Sequence, residues 1–127
     1  MKRADRKMLE LAQALLPEDE EARHVFRAQS GINPNWFSGL TFVTNQFFVV
    51  VVTNKSIVIL DASVLHPGTP TGIFMRRPLR TKLRTYAGLR GKWYKQINLI
   101  PDRKLWVFSK YDSELQAADE EVQRLHG

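Results

Sequence analysis

FFVVVVTNKSIVIL, residues 47–60, places ten apolar residues around a four-residue polar break whose only charge is Lys55. Its longest unbroken apolar run, Phe47 to Val52, falls far short of the ~20 residues a membrane helix needs. β-Branched and aromatic residues dominate both halves, which favours strand over helix. Phe47 to Thr53 and Ser56 to Asp61 are therefore expected to pair as a hairpin turned at Asn54-Lys55. Asparagine tolerates the positive φ of a two-residue type I′ turn. With no reactive side chain, the stretch reads as the core of a sheet, not as a membrane span or a catalytic strand.

The rest of the chain is read outward from this hairpin. A length of 127 residues suits one domain with one sizeable core. Apolar content of 43% and charged content of 25% place it among globular proteins, so long disorder is not expected. The start, MKRADRKMLELAQALLPEDEE, is basic but has acids at Asp5 and Glu10 and no apolar h-region, so a signal peptide is not expected. The absence of cysteine excludes a disulfide framework, a thiolate zinc site and a cysteine nucleophile. A cytoplasmic location is the default expectation.

Period-3.6 and period-2 patterns give the remaining elements. Arg3 to Leu16 is expected to be a helix, with Met8, Leu11, Ala12 and Leu15 on one stripe and Pro17 as its stop. The acidic PEDEE is expected to be a solvated link. Ala22 to Ser30 leans toward period two, with His24, Phe26 and Ala28 on one side. GINPNWFSG is expected to be a loop, Leu40 to Val43 a short strand, and His66 to Gly72 (HPGTPTG) an irregular loop. Pro78 to Tyr86 alternates Leu79, Thr81, Leu83 and Thr85 with Arg80, Lys82, Arg84 and Tyr86, a strand with one cationic face. Further strands are expected at Trp93 to Leu99 and Lys104 to Ser109. A helix from Asp112 or Ser113 to about Leu125 carries a capping box at Ser113 and Gln116. The expected class is α+β, a small barrel or sandwich closed by a helix.

The hairpin VVVTNKSIVILD, the last strand RKLWVFSKY and the helix DSELQAADEEV directly after it resemble the pleckstrin-homology-like fold in its small bacterial form. The span from HVFRAQSGINPNW to AADEE is similar to uncharacterised actinobacterial proteins of that type. The resemblance covers residues 22–127 as a domain, approximately 22 to 125 in its patterns, and leaves residues 1–21 as an added helix and acidic link. It implies an open β-barrel, two near-orthogonal antiparallel sheets of six to seven strands capped by the C-terminal helix. It also implies a scaffold that binds lipids, peptides or proteins, without naming a ligand. The loop where phosphoinositide-binding members carry their cations, GINPNWFSG here, has no basic residue.

Charge supplies the one strong functional signal. The net charge is +6, yet no acid occurs between Asp61 and Asp102. That interval holds Arg76, Arg77, Arg80, Lys82, Arg84, Arg90, Lys92 and Lys95, so it carries +8 and leaves −2 for the rest. Such a surface can hold an acidic protein, an anionic membrane or the phosphates of a nucleic acid. Equally, cations solvate the outer face of a sheet and deter edge aggregation, and the acidic helices at both ends can neutralise them within the chain or in a homo-oligomer. Tyr86, Trp93 and Tyr94 interleave with the cations as stacking candidates, though strand aromatics more often pack across strands. Trp36 and Phe37 stand on a loop, able to enter a membrane interface or a partner pocket, or to fold back over a barrel end.

Catalysis is not expected. GLRGK, residues 88–92, fails the phosphate-loop spacing. His24, His66 and His126 stand at no metal-ligand spacing, and no carboxylate pair or serine elbow is placed for acid–base or nucleophilic work. The expectation is therefore a binding module without metal, cofactor or enzymatic activity. Its partner is an acidic protein first, then an anionic membrane surface, then nucleic acid, with a purely structural oligomer as the remaining reading.

Overall fold

The computed structural model describes residues 3–30, 46–63, 66, 68–79, 81, 94–97, 99–100, 105–108 and 111–126. Two helices, α1 (Arg3–Gln13) and α2 (Asp112–His126), flank six strands. The strands are β1 (Ala22–Ser30), β2 (Gln46–Thr53), β3 (Ser56–Ala62), β4 (Pro70–Pro78), β5 (Tyr94–Ile97) and β6 (Leu105–Phe108). The class is α+β.

The opening hairpin forms as expected: β2 and β3 pair from Phe47↔Ala62 to Val52↔Ile57. All of Phe47 to Thr53 is buried, and consecutive strand residues point to opposite faces, so both faces at the centre of the sheet are covered. Each fully buried Val or Phe contributes about 1.5–3 kcal/mol relative to exposure, which makes this hairpin the thermodynamic centre of the molecule. β1 pairs antiparallel with β2 on one side and β6 on the other. That central position buries Gln29 and Ser30 as well as Phe26 and Ala28, and the register puts His24, Phe26 and Ala28 on one face as expected.

The described strands form one sheet in the order β4-β3-β2-β1-β6-β5, all neighbours antiparallel. This differs from two near-orthogonal sheets closing a barrel: β1 bridges what would be two sheets, and β4 and β5 are the edges among the described residues. Register fixes the faces. His24, Val52, Ile57 and Arg77 form one cross-strand row, and Val25, Val51, Val58 and Arg76 form the next, on the opposite face. Met8 of α1 and Arg27 both flank Gly68 on the Val25 side, while Glu114 and Glu121 of α2 reach His24 on the other. Met8 and Ala12 of α1 and Leu115, Ala118 and Val122 of α2 complete the core.

Several expected boundaries move. α1 ends at Gln13, not Leu16, because Leu15 and Leu16 donate to the carbonyls of Ala12 and Gln13 three residues back, tightening the last turn before Pro17. The expected loop at 66–72 is cut short by a strand, and of the strand expected at 78–86 the residues 80 and 82–86 lie outside the described ones. β4 begins at Pro70 and ends at Pro78, followed by a turn in which Thr81 N–H donates to the Pro78 carbonyl. Proline has no N–H for a ladder, which explains why it bounds the strand at both ends. Of the strand expected at Trp93 to Leu99, Tyr94–Ile97 form β5 and Leu99 lies beyond it, while residues 93 and 98 lie outside the described ones. Leu40 to Val43 and the loop GINPNWFSG lie outside the described residues.

Candidate functional site

Of the sequence-derived cations, Arg76 and Arg77 are described in full, and they behave differently. Arg76 Nη1 donates to both carboxylate oxygens of Glu20, at 2.7 and 2.9 Å, and to Ser56 Oγ at 3.0 Å. Glu20 is only 2% exposed. Its Oε2 also accepts from Thr53 Oγ1 at 2.7 Å and Ser56 Oγ at 2.9 Å. Burial alone would raise this carboxyl, but the bonds from Thr53, Arg76 and Ser56 outweigh it and hold Glu20 below the ordinary glutamate range. It is a fixed acceptor, unsuited to donate a proton near neutrality.

The acidic link is thus not merely solvated; it is a latch on the β2–β3 turn. Glu21 and Asn54 exchange bonds, with Glu21 N–H donating to Asn54 Oδ1 at 2.9 Å and Asn54 N–H to the Glu21 carbonyl at 3.2 Å. Lys55 pairs with Asp19. Gln13 seals the other end: its Nε2 donates to the Glu20 carbonyl at 2.7 Å and its Oε1 accepts from Ala22 N–H at 2.8 Å. Within the turn Thr53 Oγ1 accepts from the N–H groups of Lys55 and Ser56, both at 3.0 Å, which occupies donors a tight turn leaves unpaired.

Arg77 lies one residue on and faces the other side of the sheet, beside Ile57. Its Nε is buried and meets no acceptor among the described residues. Of the other cations, Lys95 sits on β5 opposite Val107, at the far end of the strand order from β4. Tyr94 sits beside it opposite Phe108. Arg80, Lys82, Arg84, Arg90 and Lys92, with Trp36, Phe37, Tyr86 and Trp93, lie outside the described residues.

Two residues that the sequence reading left aside stand out on β4. Ile73 is 44% exposed and Phe74 37%, the large apolar residues exposed among the described ones. The register of β4 against β3 slips twice, leaving Phe74 as the extra residue between Ile73 and Met75, and Thr71 between Pro70 and Gly72. A bulge re-aims side chains and breaks the ladder. Here it brings Phe74 to the Phe48 ring, with centroids 5.2 Å apart and a 49° tilt. Phe48 shares the His24–Arg77 face, so Phe74 and Arg77 do too. The run GIFMRR between the breakers Gly72 and Pro78 was the available signal.

A second polar cluster joins α2 to β1. His24 Nδ1 lies 3.1 Å from Glu114 Oε1, and its Nε2 lies 2.6 Å from Glu121 Oε2. Arg23 Nη1 donates to Glu121 Oε1 at 2.6 Å. Burial would raise Glu121, but the bonds from Arg23 and His24 prevail and lower it. Arg27 Nε donates to Tyr111 Oη at 2.7 Å, at the mouth of α2, and burial pushes that phenol up, so it stays protonated. Among the described residues no group of three or more His, Cys, Asp or Glu is placed to hold a metal ion. No described helix is long and apolar enough to cross a membrane.

Compared with protein-family models the chain matches none, and no curated protein is significantly similar to it.

Proposed function

We propose that the chain is a non-enzymatic binding module of pleckstrin-homology-like type that docks an acidic protein partner through its cationic segment. An antiparallel sheet followed by a C-terminal helix supports the scaffold at a coarse level. The observation that carries the functional reading is charge segregation. Eight cations and no acid lie between Asp61 and Asp102. β4, at the start of that interval, is an edge strand among the described residues, with Thr71, Ile73, Phe74, Arg76 and Pro78 exposed. Arg76 is committed to Glu20, so the docking charge belongs to Arg77 and the cations that follow it.

The test is a pull-down from the native cell with wild-type chain and with Arg80, Lys82 and Arg84 replaced together by glutamate. The reading expects partners that carry acidic surfaces, elute with moderate salt and are lost by the charge reversal. Unchanged partners with unchanged salt dependence would reject it. Salt-sensitive sedimentation with anionic vesicles, or gel shifts that weaken steeply with salt, would move the function to a membrane surface or to nucleic acid.

A further inference from the structure

We infer that His24 is a pH-sensitive clasp for α2: protonated, it bridges Glu114 and Glu121, and on losing its proton it lets go of Glu114 at the start of the helix. The inference stands apart from the choice of partner, since it concerns how α2 is held to the sheet.

The ring geometry carries it. Nδ1 lies 3.1 Å from Glu114 Oε1 and Nε2 lies 2.6 Å from Glu121 Oε2, with the three side chains between 14% and 28% exposed. An ionised carboxylate only accepts, and a neutral imidazole has one ring nitrogen without a hydrogen. Whichever tautomer it adopts, the neutral ring therefore sets a lone pair against one of the two carboxylates. Imidazolium donates on both sides. Glu114 and Glu121 stand two helical turns apart, so one charged ring spans both turns of α2.

The two acids differ in what else holds them. Glu121 Oε1 accepts from Arg23 Nη1 at 2.6 Å and lies 3.6 Å from Arg124 Nη2, so Glu121 keeps cations when His24 is neutral. Among the described residues, His24 is the cation that Glu114 meets. The neutral ring keeps its proton toward the closer Glu121 oxygen and turns its lone pair on Glu114. Of the other elements on this face, β2 and β3 place Val52 and Ile57 in the row of His24, and β4 ends that row with Arg77. On α2, Glu120 is engaged by Gln116, and Leu115, Ala118 and Val122 are buried.

Histidine is the side chain whose charge ordinarily changes between about pH 5 and 8. Because the folded arrangement suits the charged ring, the clasp contributes on the acid side of that range, and the contribution is lost as pH rises. Glu20 and Glu121 act in the opposite direction, since theirs disappear in acid.

Urea unfolding of the full chain at about pH 5.5 and about pH 8 tests the clasp, with His66 and His126 titrating alike in every sample. Between the two, the unfolding equilibrium constant of wild type is expected to rise about fivefold more than that of His24→Gln, the scale of a partly exposed charge-assisted bond. Glu114→Gln keeps the Glu121 contact and decides the matter if His24→Gln does not fold; it is expected to lose most of the same step. In an NMR titration of wild type, the amide shifts of Ser113 to Gln116 are expected to follow the His24 ring. An equal pH step in wild type and His24→Gln overturns the clasp, as does a step that survives intact in Glu114→Gln. Ring titration that leaves the Ser113 to Gln116 amides unmoved overturns release at the helix start.

Discussion

Arg76 on β4 grips both carboxylate oxygens of Glu20, a residue of the link between α1 and β1. The pair spans 56 positions of sequence and fastens β4 to the segment that follows the N-terminal helix. Thr53 and Ser56 donate to the same carboxylate, so Glu20 gathers three strands' worth of chain at one buried oxygen pair.

Removing one partner leaves the other unsatisfied, which costs more than the pair contributes. Glu20→Gln and Arg76→Ala are each expected to lower unfolding free energy by about 2 kcal/mol, with Glu20→Gln the more severe because Glu20 is the buried partner. Urea denaturation of the two single variants and the double variant checks this. The double should cost clearly less than the sum of the singles.

Acid sensitivity follows from Glu20 and Glu121, both held below the ordinary glutamate value of 4.5. The unfolded chain takes up protons at these carboxyls before the folded one does as pH falls. Their contribution is therefore complete above pH 4.5 and is lost as pH drops through the folded values. Thermal melts from pH 7 to pH 3 should show midpoints falling below about pH 4.5. In Glu20→Gln that fall should be shallower, and an equal slope would rule out Glu20 as a contributor.

The turn at Asn54-Lys55 depends on Thr53. Thr53→Val keeps the β-branched shape but removes the acceptor for the Lys55 and Ser56 N–H groups and the donor to Glu20. A loss of about 1–3 kcal/mol is expected, with early amide exchange at residues 54–56. Thr53→Ser, which retains the hydroxyl, should recover most of it.

At the other end, Leu115 is completely buried where α2 meets the sheet. Leu115→Ala should cost about 2–5 kcal/mol through lost burial and the cavity left behind. Tyr111→Phe removes only the hydroxyl that Arg27 Nε binds and should cost about 1 kcal/mol. If Leu115→Ala unfolds in a separate early transition, α2 is an appendage and not part of the core.

Local patterning made the hairpin at Phe47 to Asp61, β1, the last strand and α2 legible, because each repeats a period or a turn signal over adjacent residues. It failed at β4. TGIFMRR has no alternation to read, since two bulges reset the register. It also failed for PEDEE, where the residue types predict solvation and only a partner 56 positions away makes Glu20 a buried anchor.

Charge segregation was likewise visible in the chain, as a +8 interval against a −2 remainder. Which of those charges is available was not. Arg76 and Arg77 are adjacent and chemically identical, and strand alternation sends them to opposite faces. One meets Glu20 and is neutralised; the other keeps a buried donor with no acceptor among the described residues. Sequence by itself determined that there is a β-rich core around FFVVVVTNKSIVIL and a basic stretch beyond it, because hydrophobic period and charge are local properties. Tertiary structure alone decided which of the two cations is paired with Glu20, because that depends on strand register and on residues brought together from distant parts of the chain.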